Sequence, residues 1–430
     1  MKHTVHEVTL KNGSRGLLID IPGATVMSFQ FHFRAGNRYA KRPEIEQTPH
    51  IMEHMAFGAN ARFKDGHAFE AEFTKNGAHH NAYTSDYSMV YYGDCADFEW
   101  ERILDLKQVA ITKPRFNEEE LRAEVGNVRN ELNGYLNSHP RLLWPKMQQV
   151  LGEATLTFPE AVKTISNVTL SDVKEHYRRT HTSENMRFII AGRMYRRKKR
   201  IIEMLESWEL PHGERLPIPL DELHGAEPFL IRRKESSNLT FGWSMIVPRR
   251  LSDAEVDAMG AVNHVLTGTM HSRIYGAARK KGLAYGIFSE TNANEHASSW
   301  DFGAEVNLET IEPLFDIMVR EVRAVLDGKL TDEEIESAKQ YALGRHQMGA
   351  QTVGQINRWY ADRYFFDGHI DDYEAQPNAI NAVTKRRIVE TAREFITSNC
   401  WLLGAVGSGD KALLDRLHAK LDILFDDRLN

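Results

Sequence analysis

The chain has 430 residues, of which 42% are hydrophobic and 27% charged, and its formal net charge is −6 at neutral pH. This composition is that of a globular protein of two or three domains, and it excludes a disordered chain. The negative charge gives no support to a protein that coats nucleic acid, because phosphate binding needs an excess of lysine and arginine.

Cysteine content and hydropathy predict the cellular location of the protein. Cys95 and Cys400 allow at most one disulfide, which excludes a disulfide-stapled secreted scaffold. Residues Met1 to Gly16 contain no apolar stretch typical of a signal sequence, and no apolar run approaches the roughly 20 residues that cross a bilayer. We therefore expect a soluble, cytoplasmic protein with no nucleic-acid or membrane partner.

Hydrophobic periodicity predicts strands and helices in both halves of the chain. The predicted strands, in chain order, are residues 16–21, 26–33, 83–92, 188–191, 239–246, 285–290 and 300–306. The predicted helices are residues 49–57, 66–76, 97–111, 117–136, 170–180, 252–266, 309–327, 331–348 and 384–397. Hairpin-like strands followed by helices, without regular alternation, favour a layered α+β fold over a doubly wound parallel sheet.

The sequence repeats itself at half its length. Three pairs of structural signals lie 215, 215 and 214 residues apart: Thr169 with Thr384, Gly192 with Gly407, and Asn117 with Thr331. Helix caps resemble one another in all proteins, but several signals at one offset predict a duplication. Proline and glycine interrupt the pattern between the halves, which predicts domains over 1–212 and 225–430 with a linker over 213–224.

Two histidines four residues apart give the first chemical signal. On a helix that has Thr48 as N-cap and Pro49 as its first residue, His50, Glu53 and His54 share one face. Two neutral imidazoles supply half of a tetrahedral zinc site, and a catalytic site adds one more protein ligand and a water. Glu53 would then be the base that takes a proton from this water. The alternative is that the histidines only flank an apolar face.

A second predicted helix carries carboxylates that can complete such a site. Glu124 and Glu131 are seven residues apart, so they point the same way and stand roughly 10.5 Å apart along the helix axis. At most one of them can be the third ligand, and the other is suited to orienting a histidine. The alternative is a solvated acidic helix, and spacing alone does not choose between the two glutamates.

This set of residues resembles the M16 metallopeptidases, a family that includes pitrilysin, insulin-degrading enzyme and the mitochondrial processing peptidase. The resemblance rests on His50-x-x-Glu53-His54 with Glu131 77 positions later, on Glu53 to Phe57, on Asn81 to Ser85 followed by Tyr91-Tyr92, and on Lys281 to Tyr285. It implies two homologous LuxS/MPP-like metallohydrolase domains, each a mostly antiparallel sheet packed with helices. The second domain would be a degenerate copy without a metal motif.

The resemblance also implies a ligand set. Zinc, one ion per chain, would be bound by His50, His54 and Glu131, while Glu124 would orient a ligand. The zinc ion would polarise the scissile carbonyl, and Glu53 would move a proton from water to the leaving amine.

Substrate-contacting residues follow from the same resemblance. Asn81 and Ala82 would form the sheet edge to which a peptide adds as a strand, although an ordinary strand entering a turn is the alternative reading. Tyr285 matches the family tyrosine that stabilises the oxyanion, or is a plain edge aromatic. The family arginine seven residues earlier is replaced by Ala278, so either Arg279 substitutes for it or its role is lost.

The predicted function is that of a zinc-dependent endopeptidase acting on short or unfolded peptides. Because the family chamber uses four such domains, a two-domain chain is expected to pair as a homodimer, or as a heterodimer with an M16-like subunit. In a homodimer Tyr285 would reach the zinc of the partner. The alternative function is a non-catalytic M16-like subunit that binds peptides or scaffolds a complex.

Overall fold

The computed structural model describes residues 1–425, and these form two compact units. The N-terminal unit contains residues 1–134, 159–219 and 348–371, and the C-terminal unit contains 135–158, 220–347 and the residues from 372 onward. Residues 208–228 contain no helix or strand. The domain limits predicted above remain a prediction, and the last five residues of the predicted second domain lie outside the described residues.

Helices and strands are interspersed along the whole described chain. The strands are β1 Thr4–Thr9, β2 Arg15–Asp20, β3 Val26–Phe33, β4 His79–Thr84, β5 Met89–Ala96, β6 Met186–Gly192, β7 Phe229–Arg232, β8 Asn238–Val247, β9 Ala284–Ala293, β10 Ser298–Asn307 and β11 Trp401–Gly407. The helices are α1 Thr48–Ala56, α2 Gly66–Thr74, α3 Trp100–Thr112, α4 Glu118–Tyr135, α5 His139–Val150, α6 Phe158–Thr164, α7 Leu170–Thr180, α8 Lys198–Glu206, α9 Asp253–Asn263, α10 Arg273–Lys280, α11 Ile311–Leu326, α12 Asp332–Met348, α13 Val353–Asp367, α14 Gln376–Asn381, α15 Lys385–Thr397 and α16 Lys411–Asp422. No helix within residues 1–425 is long and apolar enough to span a membrane.

The N-terminal unit is built on a six-stranded sheet in the order β1-β2-β6-β3-β5-β4. Only the β2–β6 pair is parallel among the paired strands of this sheet, so the predicted mostly antiparallel sheet is confirmed here. The core strands β3 and β6 carry Phe29, Phe31 and Phe188, which are fully buried. Strand β4 lies at one edge, where His79 to Thr84 pair with Asp94 to Met89 of β5.

One predicted strand of this unit was wrong. Residues 83–92 do not form a single strand, because the chain turns between β4 and β5. The Ser85 amide donates to the Ser88 carbonyl at 2.8 Å, and the Ser88 amide donates to the Ser85 hydroxyl at 3.0 Å. Serine side chains that bond nearby backbone favour turns over strands, and the signal was hidden by the apolar residues on either side.

The C-terminal unit is built on a five-stranded sheet in the order β7-β11-β8-β10-β9. One face carries Trp243, Trp300 and Phe302, which are fully buried under helices of this unit. The other face is covered by α5, through side chains that include Leu143 and Met147. Strand β9 lies at the edge of this sheet, as β4 does in the N-terminal unit.

The duplication is visible in the local geometry of matched residues. Gly192 ends β6 with φ of 147° and Gly407 ends β11 with φ of 149°, a conformation that L-residues with a side chain rarely adopt. Thr169 and Thr384 are both N-caps, and their hydroxyls accept the amide hydrogens of Asp172 and Arg387. Matched chemistry at a constant offset therefore produces matched structure.

Candidate metal centre

Helix α1 holds the two histidines of the predicted zinc motif. It begins at Thr48 with Gln47 as N-cap, one residue earlier than predicted, because the Thr48 hydroxyl donates to the Ile45 carbonyl at 2.6 Å instead of capping the helix. Its apolar face is buried, while His50 and His54 are partly exposed one helical turn apart. Their ring centroids are 5.0 Å apart.

Helix α4 brings the third predicted ligand to these imidazoles. Glu131 Oε2 lies 3.6 Å from His50 Nε2 and 3.8 Å from His54 Nε2. The three candidate ligand atoms all lie within 4.8 Å of one another. Two atoms that bind one zinc ion at about 2.0 to 2.2 Å stand roughly 3.4 Å apart, so this donor set fits a zinc ion after small side-chain adjustments.

The outer nitrogen of each histidine also has a partner. His54 Nδ1 lies 3.0 Å from Glu124 Oε2, and His50 Nδ1 lies 3.2 Å from Gln47 Oε1. Both Nε2 atoms therefore face Glu131, while each Nδ1 atom lies within hydrogen-bond distance of Gln47 or Glu124 on the opposite side of the ring. This is the arrangement in which a metal-binding histidine is oriented by its second ring nitrogen.

The hydrogen bond between Glu124 and His54 affects the charge of both groups. Burial lowers the pKa of His54, but the Glu124 hydrogen bond and the charges of Glu53, Glu124 and Glu131 together outweigh burial, so the pKa is raised. The bond to His54 lowers the pKa of Glu124. Glu124 therefore stays ionised and is matched to a histidine that donates from Nδ1.

Glu53, the predicted base, is nearly buried next to the candidate ligands. Glu53 is only 8% exposed, and this burial raises the pKa of its carboxyl group. Thr84, the last residue of β4, donates its hydroxyl to Glu53 Oε2 at 2.8 Å. A raised pKa makes a carboxylate a stronger base, which suits it to accepting a proton.

Glu120 connects α4 with the end of α1. Its Oε1 accepts a 2.6 Å hydrogen bond from the Ala59 amide, just after α1 ends. Ala59 precedes a short antiparallel bridge between Asn60 and Pro114. The helix with the carboxylates is therefore fixed against the helix with the histidines by a contact that lies outside the candidate ligand set.

The predicted substrate edge lies on β4. Asn81 is exposed and pairs with Tyr92 of β5, while Ala82 is buried and pairs with Tyr91. The Asn81 side-chain oxygen accepts a 2.9 Å hydrogen bond from the Ala82 amide. Because β4 is the last strand of the sheet, its outer side is an edge to which an extended peptide could add.

Tyr285 and Arg279 lie together in the C-terminal unit. Tyr285 is on the edge strand β9 and is 84% exposed. The Arg279 guanidinium lies 4.6 Å from the centroid of the Tyr285 ring, a cation–π distance. Ala278 is fully buried in the core of this unit, so residue 279 and not residue 278 presents its side chain to the tyrosine.

Two other histidines, His80 and His264, are not part of this centre. His80 stacks on Phe73 with ring centroids 3.7 Å apart, and its Nε2 lies 2.7 Å from Glu70 Oε2. His264, near the position that matches His50 in the second half, stacks on Tyr341 at 4.4 Å. Within residues 1–425 neither belongs to a metal-capable group of histidines and acidic residues.

Comparison with known families decides what kind of protein carries this centre. Residues 17–155 match the family model described as "Insulinase (Peptidase family M16)", and residues 167–341 match "Peptidase M16 inactive domain". The chain belongs to the M16 family of peptidases. The resemblance and the pair of homologous α+β domains predicted from the sequence are thus confirmed, and the name of the second model agrees with a second half that lacks a metal motif.

Relatives of this M16 chain include proteins named as zinc proteases. The chain is 20% identical over 402 residues to "Uncharacterized zinc protease YmxG" of Bacillus subtilis, covering 92% of this chain and 96% of the relative. It is 24% identical over 414 residues to an "Uncharacterized zinc protease" of Rickettsia felis, covering 93% and 96%. It is 22% identical to "Mitochondrial-processing peptidase subunit beta" of Saccharomyces cerevisiae, covering 74% and 73%.

A solved structure shares the fold of this chain. "The crystal structure of a protease from Helicobacter pylori" superposes with a TM-score of 0.83 at 18% identity, covering 94% of this chain and all of that one. At this identity the likeness establishes the fold, and the chemistry rests on the residues described above.

Three side chains of the metal centre were missed from the sequence. Gln47 lies three residues before His50, a helical spacing that could have been noticed. Thr84 lies at the end of β4 and contacts Glu53, and Glu120 lies near the start of α4 and contacts the Ala59 amide. Both contacts join residues distant in sequence, so only the tertiary structure reveals them.

Proposed function

We propose that this M16 chain is a zinc-dependent endopeptidase that hydrolyses short or unfolded peptides. The observation that carries the proposal is the convergence of His50, His54 and Glu131, with the carboxyl of Glu53 on the same helical turn. Relatives that cover nearly the whole chain and are named zinc proteases agree with it.

Different residues of the chain would bind the metal and transfer the proton. His50, His54 and Glu131 would hold one zinc ion per chain, and Glu124 and Gln47 would orient the imidazoles. A zinc ion in such a site supplies a Lewis acid and lowers the pKa of water to about 7. Glu53 accepts a proton from the attacking water on a carboxylate oxygen and later donates it to the leaving amine.

Peptide binding is proposed at the free edge of β4, through Asn81 and Ala82. Main-chain hydrogen bonds to an edge strand accept many side chains but need an extended backbone. Such a site therefore selects unfolded or short peptides over folded proteins. The exposed Asn81 side chain, which accepts from the Ala82 amide, would have to move when a peptide adds here.

We also propose that two copies of the chain pair, and that the partner subunit's Tyr285 serves the metal centre of the first copy. Tyr285 is highly exposed and carries Arg279 against its ring, so the pair is available to a second chain. A tyrosine hydroxyl can donate to a developing oxyanion, and an adjacent arginine adds positive charge. A heterodimer with another M16-like subunit would present the same chemistry.

The test of the function compares wild type with Glu53→Gln on a fluorescence-quenched unstructured peptide. We expect the variant to bind the same amount of zinc and to lose at least about 100-fold in kcat, because Gln cannot accept the proton. Equal rates in the two proteins would contradict the peptidase function.

The competing function is that of a non-catalytic M16-like subunit. It is favoured by one observation, that Ala278 is a buried core residue where the family carries an arginine. If this reading holds, zinc-loaded wild type binds the peptide without cleaving it, with or without a partner subunit. The position of Arg279 over Tyr285 favours the catalytic function instead.

A further inference from the structure

The residue that holds the Glu53 carboxylate lies on strand β4 and not on either helix of the metal centre. The Thr84 hydroxyl donates to Glu53 Oε2 at 2.8 Å. Within the described part of the chain, Thr84 is the one side chain that hydrogen-bonds to Glu53. A glutamate side chain has several rotatable bonds, so a single strong contact of this kind selects one carboxylate position.

The end of β4 is itself well fixed. Thr84 pairs with Met89 across β5, and the turn that follows is closed by the hydrogen bonds between Ser85 and Ser88. Alternate residues of β4 share the face towards the helices: His80 contacts Glu70 of α2, and Thr84 contacts Glu53 of α1. The hydroxyl therefore comes from a rigid element, with a β-branched side chain of restricted rotamers.

We propose that Thr84 is a positioning residue that holds the Glu53 carboxylate for proton transfer. The inference rests on the proposed function, in which Glu53 moves the proton. With Oε2 held by this hydrogen bond, Oε1 is the oxygen proposed to exchange the proton. Thr84 also belongs to the strand proposed to bind the peptide, so one strand would set both the peptide backbone and the base. Proton transfer requires heavy atoms about 2.6 to 3.2 Å apart, which makes kcat sensitive to this placement.

The experiment compares Thr84→Val, which keeps the shape but lacks the hydroxyl, with Thr84→Ser, which keeps the hydroxyl. Thr112→Val is the matched control, because within residues 1–425 the Thr112 hydroxyl bonds only to the carbonyl of Gln108 in its own helix. For each protein, zinc content is measured, kcat and KM are measured on the quenched peptide, and crystals of the zinc-loaded protein locate the Glu53 carboxylate.

We expect Thr84→Val to lower kcat by about 10- to 100-fold, the loss typical of a misplaced catalytic group. KM and zinc content should stay within about twofold of wild type, since the substitution keeps the backbone of β4 and changes no zinc ligand. Thr84→Ser should recover most of the rate, and Thr112→Val should match wild type. In the crystals the Glu53 carboxylate should shift in Thr84→Val alone.

An unchanged kcat in Thr84→Val would overturn the inference, and so would a loss that Thr84→Ser shares in full. A fall in zinc content that matches the fall in rate would also overturn it, because Thr84 would then act on the ligands. If Glu53→Gln cleaves as fast as wild type, the proposed function fails on its own. In that case the crystal structure of Thr84→Val still tests the positioning role. This role is wrong if the Glu53 carboxylate keeps its wild-type position in the variant.

Discussion

At the scale of single residues, the metal centre depends on groups that would not touch a metal. Gln47 and Glu124 each hold the Nδ1 atom of one histidine, which leaves both Nε2 atoms directed at Glu131. Orienting partners of this kind usually affect metal affinity by about 10- to 100-fold. They differ in charge, and Glu124 gives the stronger contact because a carboxylate accepts a charge-assisted hydrogen bond.

Gln47 should matter for zinc affinity although it carries no charge. We expect Gln47→Leu to weaken zinc binding by about 10-fold, because His50 loses the partner that fixes its ring. Competition with a chromophoric chelator measures the affinity. Gln108→Leu, whose amide lies 3.5 Å from the Ser207 carbonyl away from the centre, is the control. An affinity unchanged in Gln47→Leu would show that the His50 ring needs no such support.

Substitutions of Glu131 and Glu124 should reduce zinc affinity by different factors. Glu131→Gln replaces an anionic ligand by a neutral amide and should weaken zinc binding more than Glu124→Gln, which should cost about 10- to 100-fold. The same chelator assay, with zinc content by elemental analysis, measures both. The reverse order of losses would exchange the two roles and would agree with the alternative that spacing alone left open.

At the scale of elements, helix α3 is tied to the sheet of the N-terminal unit by a buried lysine. The Lys107 ammonium donates to the Tyr92 carbonyl of β5 at 2.5 Å and lies 5.3 Å from the centroid of the Phe73 ring. The residue is fully buried, and burial lowers the pKa of Lys107 to about 7. The folded chain therefore loses the Lys107 proton at about pH 7, whereas the unfolded chain keeps it up to the ordinary lysine pKa of about 10.4.

Stability of the N-terminal unit should consequently rise with pH. Because the pKa of Lys107 is lower in the folded chain than in the unfolded chain, its contribution to stability is fully present above about pH 10.4. This contribution is lost as the pH falls towards 7. Between pH 7.5 and 9.5, wild type should gain up to about 1.4 kcal/mol per pH unit relative to Lys107→Met. Urea unfolding at several pH values measures this difference in slope.

The control for this prediction is Lys113→Met, which changes a partly exposed lysine one residue beyond the same helix. Its slope of unfolding free energy against pH should equal that of wild type. Parallel slopes in wild type and Lys107→Met would mean that Lys107 stays protonated in the fold.

Sequence patterns predicted the elements that periodicity and capping define. Helix α7 agrees with the predicted 170–180, and β3 with the predicted 26–33, because a threonine cap and a strong apolar run mark them. Helices α5 and α13 were missed, since Pro145 interrupts the first and polar residues surround the second. Contacts such as that between Thr84 and Glu53 join elements distant in sequence, which no local pattern encodes.

At the scale of the whole molecule, the proposed pairing of two chains can be tested by complementation. If the partner subunit's Tyr285 completes each site, Glu53→Gln and Tyr285→Phe chains are each inactive as homodimers but complement one another when mixed. Random pairing makes roughly half of the dimers mixed, each with one complete site, so activity should return to about a quarter of wild type. No recovery after unfolding and refolding the two chains together would contradict an active homodimer.

The central claim is that one zinc ion is bound between α1 and α4. Anomalous scattering from zinc-loaded crystals, measured on both sides of the zinc absorption edge, tests it most directly. The account predicts a single strong peak at about 2.0 to 2.2 Å from His50 Nε2, His54 Nε2 and a Glu131 oxygen. The absence of a peak there, or a zinc peak at other residues only, would contradict it.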